Sequence, residues 1–221
     1  MWGQLVRTHT KKRLKSNRFF CCFRASQGVG SSTKPVEIRA LASLDPRDFK
    51  RIMTGYTTTC KYQPEKTETH EQTTITLRLT TLSSPYVKIF TQPPGEMERY
   101  QQIIKQGTSL GAYENGVLVG LAIAERRNWN RSLWVWELGI DEEHRMAGVG
   151  RKLVNALTRL AENLGLRIIV CETQNTNVPA IEFYRKTGFE LDGIDLSYYA
   201  NNDTTIGEVA IFMKKRVHQM K

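Results

Sequence analysis

The chain contains few cysteines, and none of them follows a metal-binding pattern. Its 221 residues include four: Cys21, Cys22, Cys60 and Cys171. They show no CxxC or related zinc spacing, and the four histidines are scattered along the chain. We therefore expect no metal site and no disulfide framework. Such a chain suits a reducing compartment, and we predict a cytoplasmic protein.

Long apolar runs are missing as well. No stretch approaches the roughly 18–20 apolar residues that a helix needs to span a bilayer, so no membrane partner is expected. Hydrophobic residues make up 40% of the chain and charged residues 24%, which is ordinary for a globular protein. A length of 221 residues fits one domain with an appendage.

Acidic residues are absent from the first 34 positions. This stretch holds eight lysines and arginines, so it supplies most of the net charge of +10 and leaves the remainder near neutral. The charge is therefore no argument for a nucleic-acid partner of the domain. We assign residues 1–34 to a basic tail and residues 35–217 to the domain. The tail fits a disordered segment or start-site artefact, an organellar transit peptide, or a nucleic-acid-binding arm.

From residue 36 onward, strand and helix patterns alternate. Apolar runs and period-two alternation predict strands at 36–41, 73–82, 109–126, 133–140, 166–173, 189–199 and 208–216. The segment 109–126 is a hairpin that turns at Asn115-Gly116, a pair that accepts the positive φ angles of a type I′ turn. Helices are predicted at 44–53, 95–107, 148–165 and 177–188. The polar, Thr-rich residues 55–72 are predicted to form a loop. The pattern indicates an α/β (α+β) domain with a mixed sheet and helices on both faces.

Two glycines lie where the segment HRMAGVGRKL, residues 144–153, joins a predicted strand to a predicted helix. Without side chains at Gly148 and Gly150, an anion can approach the unpaired N–H groups of the helix start, and Arg145 adds a positive charge. A Walker A loop is not present, because no Gly-Lys-Ser/Thr follows, and the first glycine of a dinucleotide fingerprint is missing. Taken alone, the segment fits an anion cradle or a plain helix-start turn.

A second motif, NVPAIEFYRKTGF at 177–189, follows the glycine segment about 30 residues later. Together they resemble the GNAT family of acetyl-CoA-dependent N-acetyltransferases. Four further segments are similar to its streptothricin acetyltransferase group: NWNR at 128–131, ETQNTN at 172–177, FYRKTGFELDGID at 183–195 and YYAN at 198–201. The resemblance implies a mostly antiparallel central sheet of six to seven strands, splayed between two parallel strands. One departure is Met146, where family members commonly have glycine.

The resemblance also implies how acetyl-CoA is bound. The glycine segment would hold the pyrophosphate through backbone amides, and the preceding strand would pair with the pantetheine arm. The residues implied in binding are Leu138, Gly139, Ile140, Arg145, Met146, Ala147, Gly148, Val149, Gly150, Arg151, Asn177, Ala180 and Tyr184. Asn177 has an alternative role as a helix cap.

The family match further implies catalytic roles. Tyr184 would be the general acid that protonates the departing thiolate, although it could also be an aromatic anchor of its helix. A backbone N–H at Leu138 or a neighbour would stabilise the oxyanion. Glu137 and Glu172 are the candidate bases, and either could instead attract a cationic substrate. Cleft walls are expected from Trp134, Trp136 and Tyr198.

We therefore predict an N-acetyltransferase that acts on a primary amine of a cationic small molecule, such as a streptothricin-type antibiotic, with resistance as its role. An alternative is a protein acetyltransferase that modifies an N-terminus or a lysine. A third hypothesis is a non-catalytic acyl-CoA-binding module. The expected partners are acetyl-CoA and the amine, with a homodimer as an allowed assembly, and no metal, membrane or nucleic acid.

Overall fold

The structure, a computed structural model, describes residues 35–217. This part of the chain contains these strands: β1 (Glu37–Ala40), β2 (Gly55–Glu68), β3 (Thr73–Ile89), β4 (Leu110–Glu114), β5 (Val117–Arg127), β6 (Ser132–Ile140), β7 (Ile168–Gln174), β8 (Glu190–Asp195) and β9 (Ala210–Arg216). Its α-helices are α1 (Pro46–Ile52), α2 (Glu96–Ile104), α3 (Val149–Asn163), α4 (Val178–Lys186) and α5 (Asp203–Ile206). The predictions made for residues 1–34 lie outside the described residues.

A seven-stranded sheet forms the centre of the domain. Its order is β1-β4-β5-β6-β7-β9-β8, and β6 and β7 are parallel while all other neighbours are antiparallel. The parallel pairing is short, because it joins only Ser132–Val135 to Ile168–Cys171. Beyond these residues the two strands part and leave a gap in the middle of the sheet. The predicted mixed, mostly antiparallel sheet that splays between two parallel strands is confirmed.

Helices cover both faces of the sheet, as predicted. On one face α3 and α4 bury side chains such as Leu157 and Ile181 against the sheet, and on the other α1 and α2 bury Ile52 and Ile103. Strand β5 serves both cores, since alternate side chains of a strand point to opposite faces. No helix within residues 35–217 is long and apolar enough to cross a membrane.

Local signals in the sequence account for several element ends. Asp45 caps α1, because its side chain accepts a hydrogen bond from the backbone N–H of Arg47, and Pro46 occupies the first turn. Asn115 and Gly116 both have positive φ angles, 51° and 83°, between two strands that pair up to Glu114 and Val117. The predicted two-residue hairpin is therefore confirmed.

The prediction of a loop at residues 55–72 is wrong. Residues 55–68 are strand β2, which pairs with β3 along almost its whole length as a separate two-stranded sheet. Most of its side chains are at least partly exposed, so the strand carries no apolar alternation. Its threonines and tyrosines are nevertheless typical strand formers. The strand predicted at 189–199 is also too long, because β8 ends at Asp195.

Candidate active site

The gap between β6 and β7 begins at an irregularity of β6. Val135 and Glu137 face consecutive residues of β5, which leaves Trp136 as the extra residue of a β-bulge. The bulge follows directly after Val135, the last residue of β6 that pairs with β7. In the described part of the chain, the edge of β6 beyond it faces no strand. Its backbone groups can therefore pair with another extended chain that carries amides.

Glu137 projects from this bulge towards α2. The hydroxyl of Tyr100 donates a hydrogen bond to its Oε1. Burial raises the pKa of Glu137 to about 7, the hydrogen bond from Tyr100 opposes the rise, and the charges of Glu96 and Glu172 add to it. A carboxylate of this kind can accept a proton close to neutral pH, which suits a general base.

Glu172 lies across the gap on β7. The hydroxyl of Tyr199 donates a hydrogen bond to its Oε1. Burial raises the pKa of Glu172 from its ordinary value, while that hydrogen bond and the positive charge of Lys88 lower it. The two carboxylates predicted as candidate bases thus face the same gap, in different surroundings.

Tyr184 reaches the gap from α4. Only 7% of the residue is exposed, and its ring packs 5.6 Å from that of Phe183 and 5.3 Å from that of Phe189. Burial holds the pKa of the phenol well above its ordinary value, and a hydrogen bond with Cys171 and the charges of both glutamates raise it further. Tyr184 therefore keeps its proton throughout the neutral range. The structure brings this phenol and the two carboxylates together.

Aromatic rings extend the gap along one face of the sheet. Trp134 packs 5.6 Å from Trp136 and 6.1 Å from Phe212, and Tyr198 packs 5.6 Å from Phe212. Phe212 lies directly opposite Glu172 in the antiparallel pair of β7 and β9, so these two side chains share a face. The guanidinium groups of Arg127 and Arg99 stack on Trp134 and Trp136, 3.9 and 3.7 Å from the ring centres, so the attraction of this cleft for a cationic ligand comes from the carboxylates.

The glycine segment between β6 and α3 leaves room for an anion. Gly148 is the N-cap of α3 with a φ of 82°, and a Cβ placed on it would meet no atom within 4 Å. It also offers no side chain to accept hydrogen bonds from the first turn of the 15-residue helix. Ala147 and Arg151 are exposed on either side. Together with the free edge of β6, this cradle fits the pyrophosphate and the pantetheine arm of acetyl-CoA.

Arg145 secures the cradle to the rest of the domain. Its guanidinium donates to the carbonyl oxygen of Ile140 at 3.2 Å and to Oγ1 of Thr54 at 2.9 Å. It also lies 3.5 Å from a carboxylate oxygen of Glu142. The predicted positive charge is therefore beside the loop, and the side chain is held by the end of β6 and by the segment that follows α1.

Gly139 and Gly150 are explained by close packing, and Asn177 by helix capping. A Cβ on Gly150 would lie 3.0 Å from the ring of Phe183, and one on Gly139 would lie 2.9 Å from Cγ2 of Ile52. The expectation that Gly150 leaves space for an anion is therefore wrong, because Phe183 of α4 fills the space beside it. Asn177 caps α4, because its Oδ1 accepts a hydrogen bond from the N–H of Ala180 at 3.2 Å.

Met146 adopts a left-handed backbone with a φ of 63°, a conformation that glycine adopts without steric cost. Its side chain is 86% exposed. We expect Met146→Gly to raise the free energy of unfolding by about 0.5–1 kcal/mol, because the relieved strain of about 1–2 kcal/mol exceeds the entropy cost of glycine. Urea denaturation measures the difference. Met146→Ala keeps the strain and is the control; equal stabilities of the two variants would contradict the prediction.

Several contributors to the site were not predicted. Tyr100 and Glu96 of α2, and Tyr199 after β8, hold or surround the two glutamates. Glu96 and Tyr100 are spaced to share one face of α2, which the sequence does reveal. Which strand residue that face meets depends on the tertiary packing.

Comparisons with known proteins agree with this geometry. Residues 77–189 match the model of the acetyltransferase (GNAT) family. The chain is 29% identical over 140 residues to streptothricin acetyltransferase of Streptomyces lavendulae, covering 62% of this chain and 74% of that protein. It is 34% identical over 102 residues to streptothricin acetyltransferase of Escherichia coli, covering 46% and 58%.

Among solved structures, the crystal structure of nourseothricin acetyltransferase superposes with a TM-score of 0.61 at 29% identity. The match covers 83% of this chain and 99% of that one. The family match spans more than half of the chain and includes β6, the glycine cradle, β7 and α4. The chain therefore belongs to the GNAT family and is an acetyl-CoA-dependent N-acetyltransferase.

Proposed function

We propose that this enzyme acetylates a primary amine of a cationic small molecule, with streptothricin-type antibiotics as the substrate class. The observation that carries the proposal is the cleft in which Glu137 and Glu172 face one gap beside Trp134, Trp136 and Phe212. Two carboxylates that face one gap favour a substrate with ammonium groups. The names of the relatives from Streptomyces lavendulae and Escherichia coli support the same class.

The donor is held by the edge of β6 and by the glycine cradle. Leu138 and Ile140 offer their backbone groups to the pantetheine amides, and the N–H groups at the start of α3 receive the pyrophosphate beside Gly148. Acetyl-CoA supplies the acetyl group as an activated thioester.

Three groups of the chain serve the transfer. Glu137 accepts a proton from the attacking amine, which binds in the gap. The backbone N–H of Leu138 donates to the carbonyl oxygen, where negative charge develops. Tyr184 gives its proton to the departing thiolate sulfur, and regains one from solvent after the products leave.

Between the two candidate bases, we propose Glu137 for the proton transfer and Glu172 for attraction of the cation. Glu137 has a pKa of about 7 and is ionised in a useful fraction at neutral pH, yet basic enough to take the proton. Glu172 lies near Lys88, whose charge favours its ionised form. Burial raises the pKa of Glu172 above its ordinary value, but its ionised form, which Lys88 and the hydrogen bond from Tyr199 favour, attracts an ammonium group.

Thiol release from acetyl-CoA tests the substrate class, with the full chain and with streptothricin, spermine, free lysine and short peptides as acceptors. We expect kcat/KM for streptothricin to exceed that for the peptides by about 10²-fold or more. Turnover of peptides without turnover of streptothricin would instead identify a protein acetyltransferase. Binding of acetyl-CoA without transfer to any amine would identify the non-catalytic module. The cytoplasmic location and the homodimer stay predictions.

A further inference from the structure

Helix α2 contacts the proposed base. In α2, Glu96 and Tyr100 are one turn apart and share a face. Tyr100 is 2% exposed, and its ring packs 5.6 Å from that of Phe49, so its position is fixed by the core. Its hydroxyl donates to Oε1 of Glu137. Burial raises the pKa of Tyr100, and the negative charge of Glu96, which lies near the same hydroxyl, raises it further.

We propose that Tyr100 and Glu96 are positioning residues that hold Glu137 ready to accept the proton of the acceptor amine, and that they act on it in opposite senses. The hydroxyl of Tyr100 donates to the ionised carboxylate and favours it. The negative charge of Glu96 disfavours a second negative charge nearby. This inference rests on the proposed role of Glu137 as the base.

Other groups also act on Glu137. The charged and titratable side chains that face it come from three elements: Glu96, Arg99 and Tyr100 of α2, Glu172 of β7 and Tyr184 of α4. Arg99 stacks 3.7 Å from the centre of the Trp136 ring and, like Tyr100, favours the ionised form of Glu137. The negative charge of Glu172 disfavours it. Helix α2 thus supplies contributions of both signs, and its residues can be exchanged without altering β7 or α4.

The two residues have a mechanistic reason to oppose each other. Without the donor the pKa of the buried carboxylate would rise further, and a smaller fraction of it would be ionised and able to act as a base at neutral pH. Without the charge of Glu96 the pKa would be lower, and the carboxylate would be a weaker base. Tyr100 and Glu96 together place Glu137 between these limits.

Titration of Glu137 by NMR tests the inference without depending on the acceptor. The full chain is labelled with carboxyl-¹³C glutamate, and the signal lost in Glu137→Gln identifies the residue. We expect Tyr100→Phe, which keeps the packed ring, to raise the titration midpoint by about 0.5–1 pH unit. We expect Glu96→Gln to lower it by about half a unit. Glu98→Gln, an exposed acid of the same turn, is the matched control and should leave the midpoint unchanged.

The pH dependence of kcat with saturating streptothricin then connects this titration to the reaction. The inference predicts that the acid limb of kcat moves with the NMR midpoint in both variants. Unchanged midpoints in Tyr100→Phe and Glu96→Gln, or shifts of the same sign, would overturn the inference alone. Midpoints that shift as expected while the limb of kcat stays fixed would instead overturn Glu137 as the base, and with it the proposed mechanism.

Discussion

Replacing Tyr184 with phenylalanine is expected to lower kcat by about 10²-fold or more, because a general acid contributes about 10²–10⁴ to the rate. We propose this phenol as the proton donor, and burial keeps it protonated by raising its pKa. The KM for acetyl-CoA should change by only a few-fold, since the proposed coenzyme site consists of backbone groups. Steady-state kinetics with streptothricin measure both quantities.

A matched control separates this effect from a general cost of removing a phenol. Tyr113 lies on β4, which β5 separates from β6 and from the gap. The guanidinium of Arg39 stacks 3.9 Å from its ring centre. Tyr113→Phe should keep kcat within about twofold. If Tyr184→Phe also kept kcat within this range, Tyr184 would be an aromatic anchor of α4, the alternative that its ring contacts with Phe183 and Phe189 also support.

Glu137→Gln is expected to lower kcat by about 10²-fold at pH 8, since the amide cannot accept the proton. It should also stabilise the fold. The pKa of Glu137 is about 7 in the folded chain against an ordinary 4.5, so the folded state binds more protons than the unfolded state between these values. Stability is therefore lost as the pH rises through this window. Removing the charge should recover on the order of 1–3 kcal/mol above pH 7.

Glu172→Gln is the comparison that distinguishes the two carboxylates. With Glu172 as a cation-attracting group, this variant should raise the KM for streptothricin and leave kcat within about tenfold. The opposite pattern, with a large loss of kcat in Glu172→Gln and a small one in Glu137→Gln, would make Glu172 the base. Denaturation of both variants shows whether each remains folded.

The sequence predicted the parts of the fold that carry local signals. Asp45 and Pro46 mark the start of α1, and Asn115-Gly116 marks a hairpin, because each follows from the conformational preference of the residue itself. Strand β2 was not predicted, because it lacks such a local signal. Its side chains are mostly exposed on both faces, so the alternation that identifies a half-buried strand is absent.

The sequence predicted those residues of the candidate site that belong to recognisable motifs or to the splayed strands. The glycine segment and Tyr184 follow from the resemblance to the family, and the two glutamates follow from their places on the splayed strands. Their hydrogen-bond donors do not, because Tyr100 is 37 residues from Glu137 and Tyr199 is 27 residues from Glu172. Such contacts depend on which helix face and which loop the folded chain places over the gap.

The most direct test of the account is the pH dependence of kcat for the wild-type enzyme, measured between pH 5 and 9 with saturating acetyl-CoA and streptothricin. Because Glu137 must be ionised to accept the proton, and its pKa is about 7, kcat should be constant well above pH 7. Below that value it should fall about tenfold per pH unit. A kcat that stayed level from pH 8 down to pH 5.5 would contradict proton transfer to Glu137.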